Sequence, residues 1–202
     1  MITIIDNFYE PSDLGLMTLG FVNLPFQSTY HSKGWSITNR MQGYPCWESE
    51  IFKPIKEELS PYQIFLNTFI RKTNIKPIVV QTLYRKIKLE ELKKAVIYKK
   101  ERPHQDSKNF DIAGIVYYNS NSIKDGTSLY NYETDFEPTI IAGSKVNRCI
   151  FYNTQQPHST PTDQWVDERW VQPFFLITQE KTFEKFKDRK IKHEQQERKD
   201  EI

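Results

Sequence analysis

The chain has 202 residues, 38% hydrophobic, 14% aromatic and 27% charged, with 28 Lys+Arg against 26 Asp+Glu for a net charge of +2. That aromatic content offsets the entropy of ordering a chain and excludes disorder throughout, and the near-neutral total argues against wholesale nucleic-acid binding. Two cysteines, Cys46 and Cys149, are too few for a disulfide framework or a thiolate zinc site, and no apolar run approaches the ~20 residues that a bilayer span needs.

Met1 to Phe8 is short and β-branched and ends in Asp-Asn-Phe, which predicts a strand running into a turn rather than a signal peptide. Ser12 reads as an N-cap, with Leu14, Met17 and Phe21 at helical spacing, so a helix of about three turns is expected to stop near Asn23-Leu24-Pro25. Phe26 to Pro45 reads as irregular. Between Trp47 and Phe69, Pro54 and Pro61 interrupt a helical pattern, predicting two short helices.

After Pro77 the pattern turns to strands, expected over Ile78–Tyr84, Asp111–Tyr118, Val146–Tyr152 and Glu168–Ile177. Shorter candidates lie at Ser128–Tyr132 and Thr139–Ile141, and Pro173 favours an edge or bulge position for the last long strand. Strands joined by turns without intervening helices point to an antiparallel sandwich or barrel. The charged segment from Glu180 to Ile202 holds eight basic and seven acidic residues, and its stripe of Phe183, Phe186 and Ile191 predicts a terminal helix. The resulting division is one domain over 1–177, with helical support at 1–77 and a β core at 78–177, followed by a charged C-terminal helix or tail at 178–202.

His104-Gln-Asp106 sets two metal-capable side chains at i and i+2, on the same side of an extended chain and about 7 Å apart at the backbone. His158 follows 158 − 106 = 52 residues later, just past a predicted strand. Two imidazoles and one carboxylate on one face of a metal leave other positions open, the arrangement of non-haem Fe(II) oxygenases. Taken alone, a His-x-Asp also fits a surface loop in which the two side chains hydrogen-bond.

Arg169 lies 11 residues beyond His158 (169 − 158), where an inward guanidinium would grip a carboxylate through two charge-assisted bonds. Pairing with Glu168 or Asp167 at the rim is its other reading. On the strand after the His-x-Asp, Ala113, Ile115, Tyr117 and Asn119 share one face, so the Tyr117 hydroxyl projects inward, either into a site or as an ordinary core tyrosine.

These residues together, with Ala113-Gly-Ile-Val-Tyr-Tyr118-Asn119, Asp125-Gly126-Thr-Ser-Leu-Tyr130 and Asn147-Arg-Cys-Ile-Phe-Tyr152 between them, resemble the 2-oxoglutarate- and Fe(II)-dependent oxygenase superfamily, in particular its prolyl-4-hydroxylase-like branch with small bacterial and phage-encoded members. The resemblance covers roughly the second half of the chain. It implies a mainly β, α+β fold: a jelly-roll-like double-stranded β-helix flanked by the N-terminal helices and the C-terminal charged helix. It also implies that His104, Asp106 and His158 bind Fe(II), and that Arg169, helped by Tyr117, holds the distal carboxylate of 2-oxoglutarate. Tyr84 matches a position that in relatives approaches the cosubstrate. The reaction implied is hydroxylation of a substrate C–H by O₂ with oxidative decarboxylation of 2-oxoglutarate to succinate and CO₂, and with ascorbate as a reductant. The expected substrate is an amino-acid side chain such as proline in a peptide or protein, with a free small molecule as the alternative. Nucleobase repair is less favoured, because relatives of that kind carry a second arginine six residues after the first and position 175 here is Phe.

The sequence departs from its relatives in one respect. In many of them a tight Pro-Gly turn leads into the His-x-Asp, whereas here Lys86 to Arg102 intervenes with a helix-like Leu89–Ala95. Arg85 to Lys108 holds nine basic against four acidic residues, either a lip that steers an acidic partner or a solvated helix and loop with Glu90 and Glu91 paired to Lys94. Trp35, Trp47 and Tyr44 read as packing, Cys149 as a small core residue, and His31 and His193 as surface residues. Fe(II), nitrogen and oxygen ligands, and free thiols together fit a reducing cytoplasm without a membrane partner. A non-catalytic barrel and a metal-dependent hydrolase are the competing readings from other classes.

Overall fold

A computed structural model describes residues 2–23, 27–28, 46–48, 61–88, 103–133, 137–159 and 168–189. The predicted positions Trp35, Tyr44, His31 and His193, and the helix-like segment Leu89–Ala95, lie outside them.

The opening strand β1 is Ile2–Ile5, followed by helix α1 over Pro11–Asn23. The short strands β2 (Gln27–Ser28) and β3 (Cys46–Glu48) precede helix α2, Pro61–Thr73. Trp47 falls in a strand, 46–48, and the rest of the first of the two helices expected between Trp47 and Phe69 lies outside the described residues. The strand forms because β5 (Arg85–Lys88) offers it a sheet edge, a tertiary partner that local periodicity does not reveal. The strands β4 (Val79–Thr82) and β5 divide what reads as one strand plus an insertion. Beyond them come β6 (Ile112–Tyr117), β7 (Ser122–Leu129), β8 (Ile140–Ser144), β9 (Cys149–Asn153), β10 (His158–Ser159), β11 (Glu168–Ile177) and a final helix α3 over 180–189.

The strands make two antiparallel sheets. The larger runs β1-β9-β6-β11-β5-β3-β2, with β4 also paired to β11, and the smaller runs β10-β7-β8. Period-two alternation gives the larger sheet two different faces. Val116, Tyr118, Cys149, Phe151, Phe174 and Leu176 pack against Phe8, Met17 and Phe21 and against Phe65 and Phe69 of α2. The residues between them, Ala113, Tyr117, Ile150, Tyr152 and Val171, face Leu129 and Ala142 of the smaller sheet. The interior between the two sheets is where the site forms.

β11 is central rather than an edge, which corrects the reading of Pro173. β5 pairs with Glu168–Val171 and β4 with Phe174–Ile177, so Pro173 sits opposite the break between them. Its carbonyl accepts from Leu83 N at 3.3 Å and from Thr82 Oγ1 at 3.0 Å on that side. A strand residue's N–H and C=O share a side, so the missing donor falls where no ladder partner is required.

The termini are tied to the core by charge. Asp6 takes Arg148 Nε at 2.6 Å and Lys145 Nζ at 3.0 Å, and Arg148 in turn donates to the Gly143 carbonyl at 2.8 Å. The Arg148 hydrogen bond holds the Asp6 carboxyl down at about 2. At the other end Asp111 caps α3 from a distance, accepting Thr178 N at 2.7 Å, Gln179 N at 3.0 Å and Thr182 Oγ1 at 2.6 Å.

Candidate metal and carboxylate site

His104, Asp106 and His158 come together, each offering one ligand atom, all within 4.8 Å of one another. Backbone pairing brings this about. His104 and His158 form an antiparallel bridge in which each N–H donates to the other's carbonyl at 2.9 Å, and Asp106 N donates to Thr154 O at 2.9 Å. The imidazole rings lie 4.4 Å apart, and His158 Nε2 is 3.4 Å from Asp106 Oδ2. His158 Nδ1 lies 3.0 Å from the Gln156 carbonyl, which can only accept, so Nδ1 carries the proton and the Nε2 lone pair points to the carboxylate. Gln156 is itself fixed through Nε2 to the Tyr130 carbonyl at 2.7 Å.

Burial dominates the electrostatics. It pushes the Asp106 carboxyl up to about 6, against the opposing charges of His104 and Arg85. It also pushes the His158 imidazole down to about 4, with the Gln156 hydrogen bond opposing it. At neutral pH a charged carboxylate and a neutral imidazole therefore face each other in a dry setting, the protonation states that metal ligation requires.

A second group of residues lies on the same interior wall. Arg169, 1% exposed, reaches from the large sheet to the small one, donating from Nη2 to the Gly126 carbonyl at 3.1 Å, with its guanidinium 5.1 Å from the Tyr117 ring centroid. The Tyr117 hydroxyl meets Thr127 Oγ1 at 2.8 Å. Gly126 lets β7 pass close to β8: a Cβ there would stand 2.0 Å from the Ala142 carbonyl oxygen. Leu129 pairs with His158, so Thr127 is one inward step from the imidazole along β7, about 7 Å of strand. A five-carbon dicarboxylate is long enough to bridge that interval.

The structure thus brings five of the six predicted residues to one interior. Tyr84 is the exception and is corrected. Its ring packs edge-on to Phe21 and lies over Gly20, with its hydroxyl 3.5 Å from the Met17 sulfur, in the cluster on the helical face of the sheet. The chain turns between β4 and β5, and it is the neighbouring Arg85 that takes the inward position. Thr127 and the Gly126 carbonyl were not assigned a role from sequence, although Thr127 shares the inward alternation of Leu129. Gln156 acts through its backbone and leaves no side-chain signal.

No protein-family model matches the chain, and no curated protein does either. Solved structures do. A 2OG-Fe(II) oxygenase family oxidoreductase from Burkholderia pseudomallei is similar with a TM-score of 0.56 at 8% identity, over 88% of this chain and 84% of that one. A Pseudomonas putida prolyl-4-hydroxylase gives a TM-score of 0.52 at 12% identity, over 88% and 92% of the two chains. HygX from Streptomyces hygroscopicus, solved with nickel and 2-oxoglutarate bound, gives 0.56 at 8% identity over 89% and 83%. The chain has the double-stranded β-helix fold of the 2OG-Fe(II) oxygenases.

Proposed function

We propose that the protein is an Fe(II)- and 2-oxoglutarate-dependent dioxygenase that hydroxylates a C–H bond, with succinate and CO₂ as coproducts. The observation that carries this reading is the convergence of two imidazole nitrogens and one carboxylate oxygen within 4.8 Å, in the interior that also holds a buried arginine. The donor set fits the metal: nitrogen and oxygen ligands on one side suit Fe(II) and leave coordination positions open. When bound, Fe(II) supplies the activation of O₂ that the oxidation needs.

The chain's own residues supply the rest. His104, Asp106 and His158 hold the ion, and the Gln156 carbonyl keeps His158 in the ligating tautomer. Arg169 takes the distal carboxylate of 2-oxoglutarate by charge-assisted hydrogen bonds, with Tyr117 and Thr127 offering hydroxyls beside it. Interior residues Leu129, Ala142, Ile150 and Val171 exclude water around them. The substrate we assign is an amino-acid side chain of proline type in a peptide or protein, which the likeness to a prolyl-4-hydroxylase supports. Ascorbate serves as reductant, and the setting is the cytoplasm; among the described residues no helix is long and apolar enough to cross a membrane.

Anaerobic titration of the protein with Fe(II) and 2-oxoglutarate is expected to give the weak visible charge-transfer band of the chelate, with succinate appearing on admission of air. His104→Ala is expected to abolish metal retention, and Arg169→Ala to weaken 2-oxoglutarate binding at least about 30-fold. A wild-type chain with neither band nor succinate would make it a non-catalytic barrel.

A further inference from the structure

Asp106 stands at the head of a short link. Its N–H donates to the Thr154 carbonyl at 2.9 Å, and residues 107–111 then carry the chain into β6. The link turns on itself, with Phe110 N donating to the Ser107 carbonyl at 3.3 Å and Asn109 N to Ser107 Oγ at 3.2 Å. So short a link passes any displacement of its turn on to Asp106.

Two elements hold this turn. Thr154, 1% exposed, spans it: besides accepting from Asp106 N, it donates from its hydroxyl to the Phe110 carbonyl at 2.7 Å and from its N–H to the Asp111 carbonyl at 3.2 Å. Helix α3 is the other. The Asp111 carboxylate caps its start through Thr178, Gln179 and Thr182. The Phe110 ring packs with Phe186 of α3 at 5.9 Å and with Phe175 of β11 at 5.5 Å between centroids. Arg189 Nη1 donates to Asn109 Oδ1. Asp111, Phe110 and Asn109 thus meet Thr182, Phe186 and Arg189 in reverse order, along about two turns of one helix.

We propose that α3 is a positioning element of the candidate metal site: by clamping Asn109, Phe110 and Asp111 it fixes the turn that follows Asp106 and so holds the carboxylate where His104 and His158 converge. The inference rests on the metal site proposed above. α3 acts through the turn, so its docking sets how tightly an ion is held and not which atoms hold it. A ligand fixed in place beforehand binds without the cost of being ordered at that moment. Linkage makes the effect reciprocal: if docked α3 favours the ion, the bound ion favours docked α3.

The test uses the full chain and Fe(II) alone, under anaerobic conditions. Phe186→Ala combined with Arg189→Ala removes two of the clamping contacts, and Phe186→Leu with Arg189 intact is the conservative counterpart. Phe65→Leu, on the opposite face of the large sheet, is the control for lost stability. Calorimetry reads the Fe(II) Kd, and hydrogen exchange reads the amides of α3. The expected result is an Fe(II) Kd raised about 10-fold in the double variant, with rapid exchange in α3. Phe186→Leu should restore most of the affinity, Phe65→Leu should leave it within about twofold, and Fe(II) should slow exchange in the α3 of the wild type. Wild-type affinity in a double variant whose α3 exchanges rapidly overturns the proposal. So does an equal loss in Phe65→Leu, or α3 exchange unchanged by the double substitution. Wild-type α3 exchange indifferent to bound Fe(II) overturns it even if no variant folds. A wild-type chain that binds no Fe(II) removes the metal site itself, whereas one that binds it independently of α3 removes only this role.

Discussion

On its helical face the large sheet presents Phe151, Phe174 and Leu176 to the rings of Phe65 and Phe69, with Phe65 and Phe174 centroids 4.9 Å apart. On its other face it presents Ala113, Tyr117, Val171 and Arg169 to a three-stranded sheet whose inward residues include Thr127 and Leu129. The same strands, read at alternate positions, build a dense aromatic core on one side and a smaller-residue, partly polar interior on the other. Most of the aromatic area accumulates on the helical face, which also buries the neutral hydrogen bonds of Tyr9 and Tyr118 to Gln172, whereas the buried charge of Arg169 and the candidate ligands belong to the other face.

This separation can be broken by experiment. Phe174→Ala should cost about 3–5 kcal/mol in denaturant unfolding, since it empties a fully buried ring, while leaving the 2-oxoglutarate Kd of the folded protein within twofold. A parallel fall in ligand affinity would show that the two faces are not independent.

Asp106→Asn tests the opposite parity. The raised pKa means that the folded, metal-free chain holds a proton which the unfolded chain releases near 3.8, so stability is present at low pH and lost as pH rises through about 6. At pH 7 the asparagine variant should therefore be more stable than the metal-free wild type, by no more than about 3 kcal/mol. It should also show no rise in Tm on adding metal. A large loss of stability would mean that the carboxylate is structural.

The smallest effect is expected at the sheet's edge. Asp6 is held down to about 2 chiefly by Arg148, so its contribution is present above 3.8 and lost as pH falls through 2. Its side chain is 37% exposed, which limits the effect to under about 1 kcal/mol after solvent screening. Asp6→Asn should lower Tm slightly at pH 6 and by less at pH 2, where the folded carboxyl is half protonated. An equal loss at both pH values would assign the effect to packing of β1.

Alternation made most of the site legible in the sequence. Asp106 shares a side with His104 by a two-residue step, and Tyr117 shares one with Ala113, whatever the strands do in space. The strand Glu168–Ile177 reads with its observed limits because a run rich in aromatic and aliphatic residues is bounded by polar sequence. What stayed hidden depends on pairing between distant segments. Cys46–Glu48 becomes a strand only because β5 is beside it, and Arg85 rather than Tyr84 faces inward only because Val171 is its partner. Pro173 misled for the same reason: a proline is tolerated inside a sheet when the neighbouring strand is interrupted opposite it.

The mutual backbone bonds between His104 and His158 bear on how the proposed metal would be loaded. Two peptide hydrogen bonds close the loop between these candidate ligands, so the backbone brings them together, and under the proposed function folding is expected to precede metal binding, unlike a zinc finger, whose folding waits for its ion. A ligand set held ready by the backbone discriminates poorly among divalent first-row ions, whose intrinsic affinities follow a fixed chemical series in which Fe(II) ranks low. Under the proposed function, the metal bound would follow the supply at the time of loading, and a preparation made in nickel- or zinc-rich medium is expected to be folded but without succinate formation.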